Sequence, residues 1–445
     1  VWVANEMAQI GLTPKGDMGT WYQWWNMRRT RISTVSSSVH FNGKALTLWR
    51  DVTPTSNTPG DVTGVTTFVS DVRDSTIDVR GKIVVARMVP PTQAPRTTTN
   101  TPDYNYTRSA LAAFNGLFRR GVAAVIVVAD SVGDRAFDGI AMVQARGAYD
   151  VVGGVPRFVR SPLAATPRIP PPSLANAPRP VPVLLVHSTE LATLRQDGQS
   201  VDIRLRSEQF ESPSVNVIGV IRGTDPALRD EYVVFSSHQD HDGVRYVVDG
   251  DSIWNGADDN ATTSVALLAI ARAWKQQPAR RSALFIFHGA EERGLLGSRY
   301  HVAHPVVPLE KMVAVLNGDM IGRNNPDTAA LLGSQPPHRN SLALVQMAIA
   351  ANTATGKFVI DSSWDRPTHP EGWYFRSDHV PYAEHNVPSL FFSSNLHSDY
   401  HTPRDEPKNI NYPKLTRMAQ WMYMTGWLAA NAKERPALDA GFVLR

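Results

Sequence analysis

The sequence predicts an α/β fold: a mainly parallel mixed sheet flanked by helices, interrupted by an inserted β-rich domain. Three observations carry this expectation. From residue 214 onward, short apolar runs alternate with stretches of helical periodicity, the pattern of a parallel sheet covered on both faces. Between residues 46 and 211 the apolar runs are separated by turns and a Pro-rich stretch and bring no convergent set of histidines and acids, which marks a separate insert. A chain of 445 residues, 42% hydrophobic, has core enough for about two or three domains.

Taken in order, the chain opens on a helix that ends at Gly11, followed by a stretch rich in Trp, Ser and Thr over 19–48 with strand-like alternation around 32–46. Residues 1–45 are expected to be the first part of the same domain as the second half of the chain. Inside the insert, strands at 82–86 and 123–128 flank a helix at 108–120, and a Pro-rich loop at 161–182 leads to a strand at 183–186. The domain at 212–445 then reads as strand 216–221, strand 232–236, helix 261–276, strand 283–287, helix 294–301, strand 312–316, helix 341–351, strand 389–392 and helix 412–430. No internal repeat is present.

Composition excludes several classes. The net charge of +4 is made of scattered Lys and Arg rather than a basic stripe, so no nucleic-acid partner is expected. No apolar stretch approaches the roughly 20 residues of a membrane span. Without cysteine there are no disulfides, no thiolate metal sites and no thiol nucleophile, so any metal must be held by His, Asp or Glu. The chain begins Val1-Trp2-Val3-Ala4 within the first helix, and the expectation is a removed export signal and a secreted or periplasmic protein.

The chemistry is concentrated in His238-Gln239-Asp240, Asn255-Gly256-Ala257-Asp258-Asp259-Asn260, Gly289-Ala290-Glu291-Glu292, Asp319 and His401. Each sits at the end of an expected strand or in the loop beyond a strand. Strand ends on one edge of a parallel sheet lie side by side, so residues distant in sequence meet there. Histidines and carboxylates in such a set are donors for zinc-like divalent ions.

Together with Asn317-Gly318-Asp319, Arg376-Ser377-Asp378-His379 and Tyr400-His401-Thr402-Pro403, these pieces resemble the M28 family of zinc-dependent exopeptidases, in the family's order and over essentially all of 214–410. The insert resembles a protease-associated domain through Gly81-Lys82-Ile83-Val84-Val85 and Arg120-Gly121-Val122-Ala123-Ala124-Val125-Ile126. The first resemblance implies two Zn2+ ions per chain and peptide substrates. It implies that Asp259 bridges the ions, that His238 and Asp319 complete one, and that Glu292 and His401 complete the other. A shared anionic ligand is what two ions about 3.5 to 4 Å apart require. The resemblance further makes Glu291 the general base on the bridging water, and Asp240 the group that orients the His238 ring by accepting its second N–H. The resemblance also implies that Tyr400 helps stabilise the oxyanion and that Arg376 contacts the substrate backbone. A cis peptide is implied at Asp259-Asn260.

The function so implied is an aminopeptidase. A carboxypeptidase or dipeptidase of the same family is the alternative, and a one-zinc glutaminyl cyclase or a non-catalytic receptor-like relative stands further off. His241, His288, His301, His304, His379 and His397 are assigned to structural or loop roles, and Asp242 and Asp258 to loop electrostatics. Trp21, Trp24, Trp25, Trp364, Trp373 and Tyr374 are read as core or domain contacts, the last three close enough to Arg376 to wall a pocket. Thr262-Thr263 stands where the family often has Ser-Gly, which places close packing of the helix behind Asp259 in question.

Overall fold

The computed structural model describes residues 1–91, 97, 99, 101–153 and 181–444. Two large sheets organise them. The first has ten strands, ordered Val359–Ile360, Thr328–Leu332, Ser389–Ser393, Met312–Gly318, Tyr232–His238, Ser282–His288, Ser207–Ile221, Tyr22–Ile32 and Ala148–Val151, with Thr13–Pro14 paired to Ser207–Ile221. The four central strands, from Ser389–Ser393 to Ser282–His288, run parallel; the strands outside them are antiparallel to their inner neighbours, except the edge strand Val359–Ile360, which runs parallel to Thr328–Leu332.

Alternation along the central strands splits their side chains between two cores, as a pleated strand with period two must. Val233, Phe235, Phe285, Phe287 and Leu316 pack with the helices Trp2–Ile10, Thr262–Gln276, Leu342–Ala354 and Tyr412–Asn431. Val234, Leu284, Ile286 and Val315 face the other way, against Val302 of the helix Leu296–Ala303 and Tyr382 of the helix His379–Glu384. Strands buried on both faces show as continuous apolar runs, which is why each expected strand of this group lies within an observed one.

The strand expected at 216–221 is the exception. It begins at Ser207 and runs antiparallel with Tyr22–Ile32 through eleven paired positions. Its first half exposes Gln209, Phe210, Glu211 and Pro213 on a ribbon held partly by Arg31–Glu208 at 2.6 Å, so no buried run announced it. The strand-like stretch near residue 32 likewise begins earlier, at Tyr22. In that strand Trp25 is buried and stacks on Tyr300, whereas Trp24 points outward and is 53% exposed, contrary to its expected core role.

The second sheet has eight strands, ordered Lys44–Leu46, Ser38–Phe41, Ser200–Leu205, Gly60–Val69, Ile83–Arg87, Ala124–Val128, Val183–Val186 and Val52–Pro54. It starts at Ser38, ahead of residue 46, because the hairpin Ser38–Phe41/Lys44–Leu46 pairs into it. Val84, Val125, Val127 and Leu185 pack on the helices Pro102–Ala112 and Ser131–Arg146. The expected helix at 108–120 is two pieces, since Pro102 starts the first at its preferred N-terminal position and the second is only Asn115–Phe118. The Pro-rich loop at 161–182 lies outside the described residues, except its last two positions.

The two halves interlock. The hairpin Gly243–Val248/Asp251–Trp254 leaves the first half just after the His238 loop and places Tyr246 and Trp254 in the core of the second sheet. In return, Ala148–Val151 pairs at the edge of the first sheet.

Candidate metal centre

Three parallel strands end side by side, and each delivers a polar terminus. His238 closes Tyr232–His238, and Asp319 follows Met312–Gly318. Glu291 and Glu292 open a one-turn 3-10 helix just beyond Ser282–His288. His401 lies in the loop after a fourth strand, Ser389–Ser393, and Asp259 lies in a π-turn that precedes the helix Thr262–Gln276.

That turn is built by groups around it. The Asp405 carboxylate accepts the N–H of Asp258 and of Asp259, and the Asp258 carboxylate accepts the N–H of Gly322 at 2.7 Å. The Asn260 amide donates to Gly318 O, and the Asp259-Asn260 peptide is cis, as the resemblance implies. Helix packing behind Asp259 stays close despite Thr262-Thr263. The Thr263 methyl lies 2.5 Å from where a Cβ on Gly318 would stand, and the Thr262 methyl 2.8 Å from that of Gly322, so the missing side chains are on the facing strand end and the loop after it instead.

The two oxygens of Asp259 face different histidines. Oδ1 lies 3.2 Å from His238 Nε2, and Oδ2 lies 2.9 Å from His401 Nε2. On the first side Asp319 Oδ1 is 3.5 Å and Glu291 Oε2 3.9 Å from His238 Nε2. On the second, Glu292 Oε1 is 3.1 Å from His401 Nε2 and 2.7 Å from Nδ1 of His241. The five expected donors therefore converge, and they bring with them His241, which sequence reasoning had placed in a loop role. Its signal was a second histidine three residues after His238.

These residues fit a pair of divalent ions. His238 Nε2, Asp319 Oδ1 and Glu292 Oε1 are buried without a hydrogen-bond partner, although each has a donor atom of opposite type within 3.5 Å. Short contacts that are not directed as hydrogen bonds are what lone pairs make when they aim at a common point between them. Asp259, Glu291, Glu292 and Asp319 are also four acids in one buried cluster, which water cannot neutralise. Burial pushes the Glu291 carboxyl well above its ordinary range against the pull of His238, and Glu292 and Asp319 push the same way. Burial opposes charge on His401, yet Glu292 and Asp259 outweigh it and carry that imidazole up to about 10.

The supporting contacts correct one expected role. His238 Nδ1 is bonded to the main-chain carbonyl of Asp240 at 2.9 Å, while the Asp240 carboxylate lies 4.0 Å from that nitrogen. The carboxylate instead accepts the N–H groups of Glu291 and Glu292, because the Glu pair begins a turn whose amides point back at the neighbouring strand end. Asp240 thus fixes the backbone of Glu291 and Glu292 rather than the ring of His238. Asp319 is oriented by Ser377 Oγ at 2.8 Å, itself held by Asn317.

The cleft beside the donors is lined on its apolar side by Leu295, Met320, Trp373 and Phe375, and on its polar side by Arg376 and Tyr400. The Arg376 guanidinium donates to Tyr400 Oη at 2.9 Å and pairs with Glu371 at 3.0 Å, and the Tyr400 ring stacks on His401. Trp364 packs edge-on to Trp373 and not on the cleft. A separate cleft lined by Lys15, Asp17 and His304 holds none of the donor groups, and among the described residues only the two groups above could hold a metal ion.

Residues 216–425 match peptidase family M28. This stretch of the chain is similar to M28 peptidase domains. Over 213 residues, 47% of this chain and 39% of the relative, the sequence is 30% identical to the probable leucine aminopeptidase 2 of Aspergillus oryzae. Over 272 residues, 60% of this chain and 55% of the relative, it is 24% identical to aminopeptidase YwaD of Bacillus subtilis. The chain thus spans about half the length of these curated relatives or less. The fold is that of two solved structures. The aminopeptidase from Aneurinibacillus sp. strain AM-1 matches with a TM-score of 0.55 at 17% identity over 98% of this chain and 88% of that one. BSAP, a zinc aminopeptidase from Bacillus subtilis, matches at 0.54 and 18% over 99% and 91%. The architecture around the matched stretch is accordingly mixed α/β with mixed sheets and helices, as expected.

Proposed function

We propose that this protein is a di-zinc aminopeptidase, hydrolysing the N-terminal bond of peptides. One observation carries the reading: the two oxygens of Asp259 are turned to two histidines, each in its own group of donors, and Glu291 stands beside the first with its Oε2 3.9 Å from His238 Nε2. His238, Asp259 and Asp319 would hold one zinc ion, and Asp259, Glu292 and His401 the other. Bound there, the ions supply Lewis acidity and lower the pKa of water enough for attack at neutral pH.

The chain's own groups do the rest. Glu291, with its carboxyl pushed upward by burial, takes the proton of the attacking water and passes it to the leaving amine. The backbone N–H bond from Glu291 to Asp240 fixes where that acid sits. Tyr400 and Arg376 line the same cleft, and the guanidinium bonded to the phenol favours the negative charge that develops on the substrate oxygen. Arg376 also supports the aminopeptidase polarity over the carboxypeptidase one. Its charge is matched by Glu371 and its second arm by Tyr400, so a substrate carboxylate would have to displace an existing ion pair.

The sheet over 38–205 fits the same reading as a protease-associated insert, because the two stretches that carried that resemblance, 81–85 and 120–126, end in adjacent parallel strands.

Paired peptides test the assignment. Hydrolysis is expected with a free N-terminal amine and a blocked C-terminus, and none when the amine is blocked. Cleavage that instead requires a free carboxylate overturns the aminopeptidase polarity in favour of a carboxypeptidase.

A further inference from the structure

We propose that His241 is a fourth protein donor at the Asp259–Glu292–His401 position, so that the two metal positions of this chain are unequal. The inference rests on the two-metal reading above. One donor atom from each of His241, Asp259, Glu292 and His401 lies within 4.8 Å of all the others. His241 Nδ1 is 2.7 Å from Glu292 Oε1, closer than His401 comes to either of its carboxylate neighbours.

The side chain is 8% exposed, and neither ring nitrogen has a hydrogen-bond partner. A buried imidazole in that state has lost water and gained in exchange only the close Glu292 oxygen, unless a further group completes it. His238 Nε2, a donor of the first position, shows the same combination of burial, close carboxylates and no directed hydrogen bond.

The ring is also held in place. It meets His401 edge-on with centroids 5.4 Å apart, and its Cγ lies 2.4 Å from where a Cβ on Gly256 would stand. Gly256 has φ 69, so glycine is required there both for the turn and for the approach of this ring. The next residue, Asp242, is 3% exposed and pairs with Arg146 at 2.8 Å and with Arg293 at 2.9 Å, which pins the loop from both halves of the molecule.

Zinc with four protein donors is closed, as in structural sites, whereas three leave a position for water or substrate. The first position, with His238, Asp259 and Asp319 beside Glu291, is then the open one. The second is the anchor that keeps its ion when the first is stripped.

Zinc-loaded full-length protein is titrated with a competing chelator, for the wild type and for His241→Gln and His241→Ala, alongside an X-ray absorption count of imidazoles per zinc. Gln keeps a donor for Glu292 but is a poor zinc ligand. The expected result is two zinc ions released in two steps, with the tighter step weakened about tenfold or more in both variants and the other unchanged. The count is three imidazoles per two zinc ions, falling to two in the variants, with thermal unfolding confirming that each is folded. A His241→Gln protein that releases zinc like the wild type, or a wild-type count of two imidazoles, overturns the proposal and leaves His241 as a partner of Glu292 alone. Absence of bound zinc in the wild type would instead sink the two-metal reading itself.

Discussion

The two sheets of this chain are built alike and end differently. Each has a parallel centre of strands buried on both faces, Tyr232–His238 with Ser282–His288 and Met312–Gly318 in one, Ile83–Arg87 with Ala124–Val128 and Val183–Val186 in the other. In the first, the strands run out into His238, the Glu291-Glu292 turn and Asp319, whose donor atoms meet. In the second they run out into Met88, Asp130 and His187. Asp130 caps the helix Ser131–Arg146 through the Gly133 N–H, and His187 pairs with Asp134 at 3.2 Å. Polar groups at a strand end are satisfied locally there, whereas in the first sheet His238 Nε2, Asp319 Oδ1 and Glu292 Oε1 have no hydrogen-bond partner. The lesson is that a site is marked less by strand ends as such than by polar groups that the fold gathers and then leaves unsatisfied.

The sharpest way to break this contrast is to remove the residue that joins the two donor groups. Asp259→Asn offers one oxygen and no charge, and is expected to abolish metal binding at both positions and reduce peptide hydrolysis to background, measured by metal analysis and turnover on the same sample. Next in size is Glu291→Gln, which should retain both ions and lose about 10² to 10⁴ in kcat. Unchanged turnover would remove Glu291 from its role.

A smaller effect tests whether the second sheet matters to the first. Arg146 closes the helix Ser131–Arg146 and reaches Asp242 beside the donor loop. Arg146→Ala is expected to lower kcat/KM by about tenfold, the low end of what outer-shell partners of metal ligands contribute, with unfolding temperature little changed. An unaffected kcat/KM would make the second sheet a passive neighbour of the chemistry.

The smallest effect lies behind the site. Burial lowers the Lys414 ammonium to about 8 from 10.5, though its amine donates to the carbonyls of Arg323 and Asn325. The folded chain therefore sheds this proton before the unfolded chain does. The contribution of Lys414 to stability is at its lowest below pH 8 and rises between about pH 8 and 10.5. Comparing denaturation of the wild type and Lys414→Met across that window should show the rise only in the wild type.

Much of this was legible in the sequence, for a physical reason that also explains the rest. Strands buried on both faces are continuous apolar runs, so the central strands and the residues at their ends could be placed in advance. The ribbon of Tyr22–Ile32 with Ser207–Ile221 was not, because half of it is solvated and its partners are distant in sequence. Within the site, the meeting of His238, Asp259, Glu291, Glu292, Asp319 and His401 followed from their places beyond strand ends and from the motifs that resemble the M28 family. The bond of His238 to the Asp240 carbonyl, the two N–H groups gathered by Asp405 and the approach of His241 to Glu292 depend on main-chain direction, which residue identity does not encode.

The di-zinc assignment is tested most directly by the metal content of the purified chain, followed through chelation while hydrolysis of a free-amine peptide is recorded. Two zinc ions per chain, with activity lost as zinc is removed and restored when zinc is returned, is the predicted result. Full activity in protein stripped of metal would contradict it.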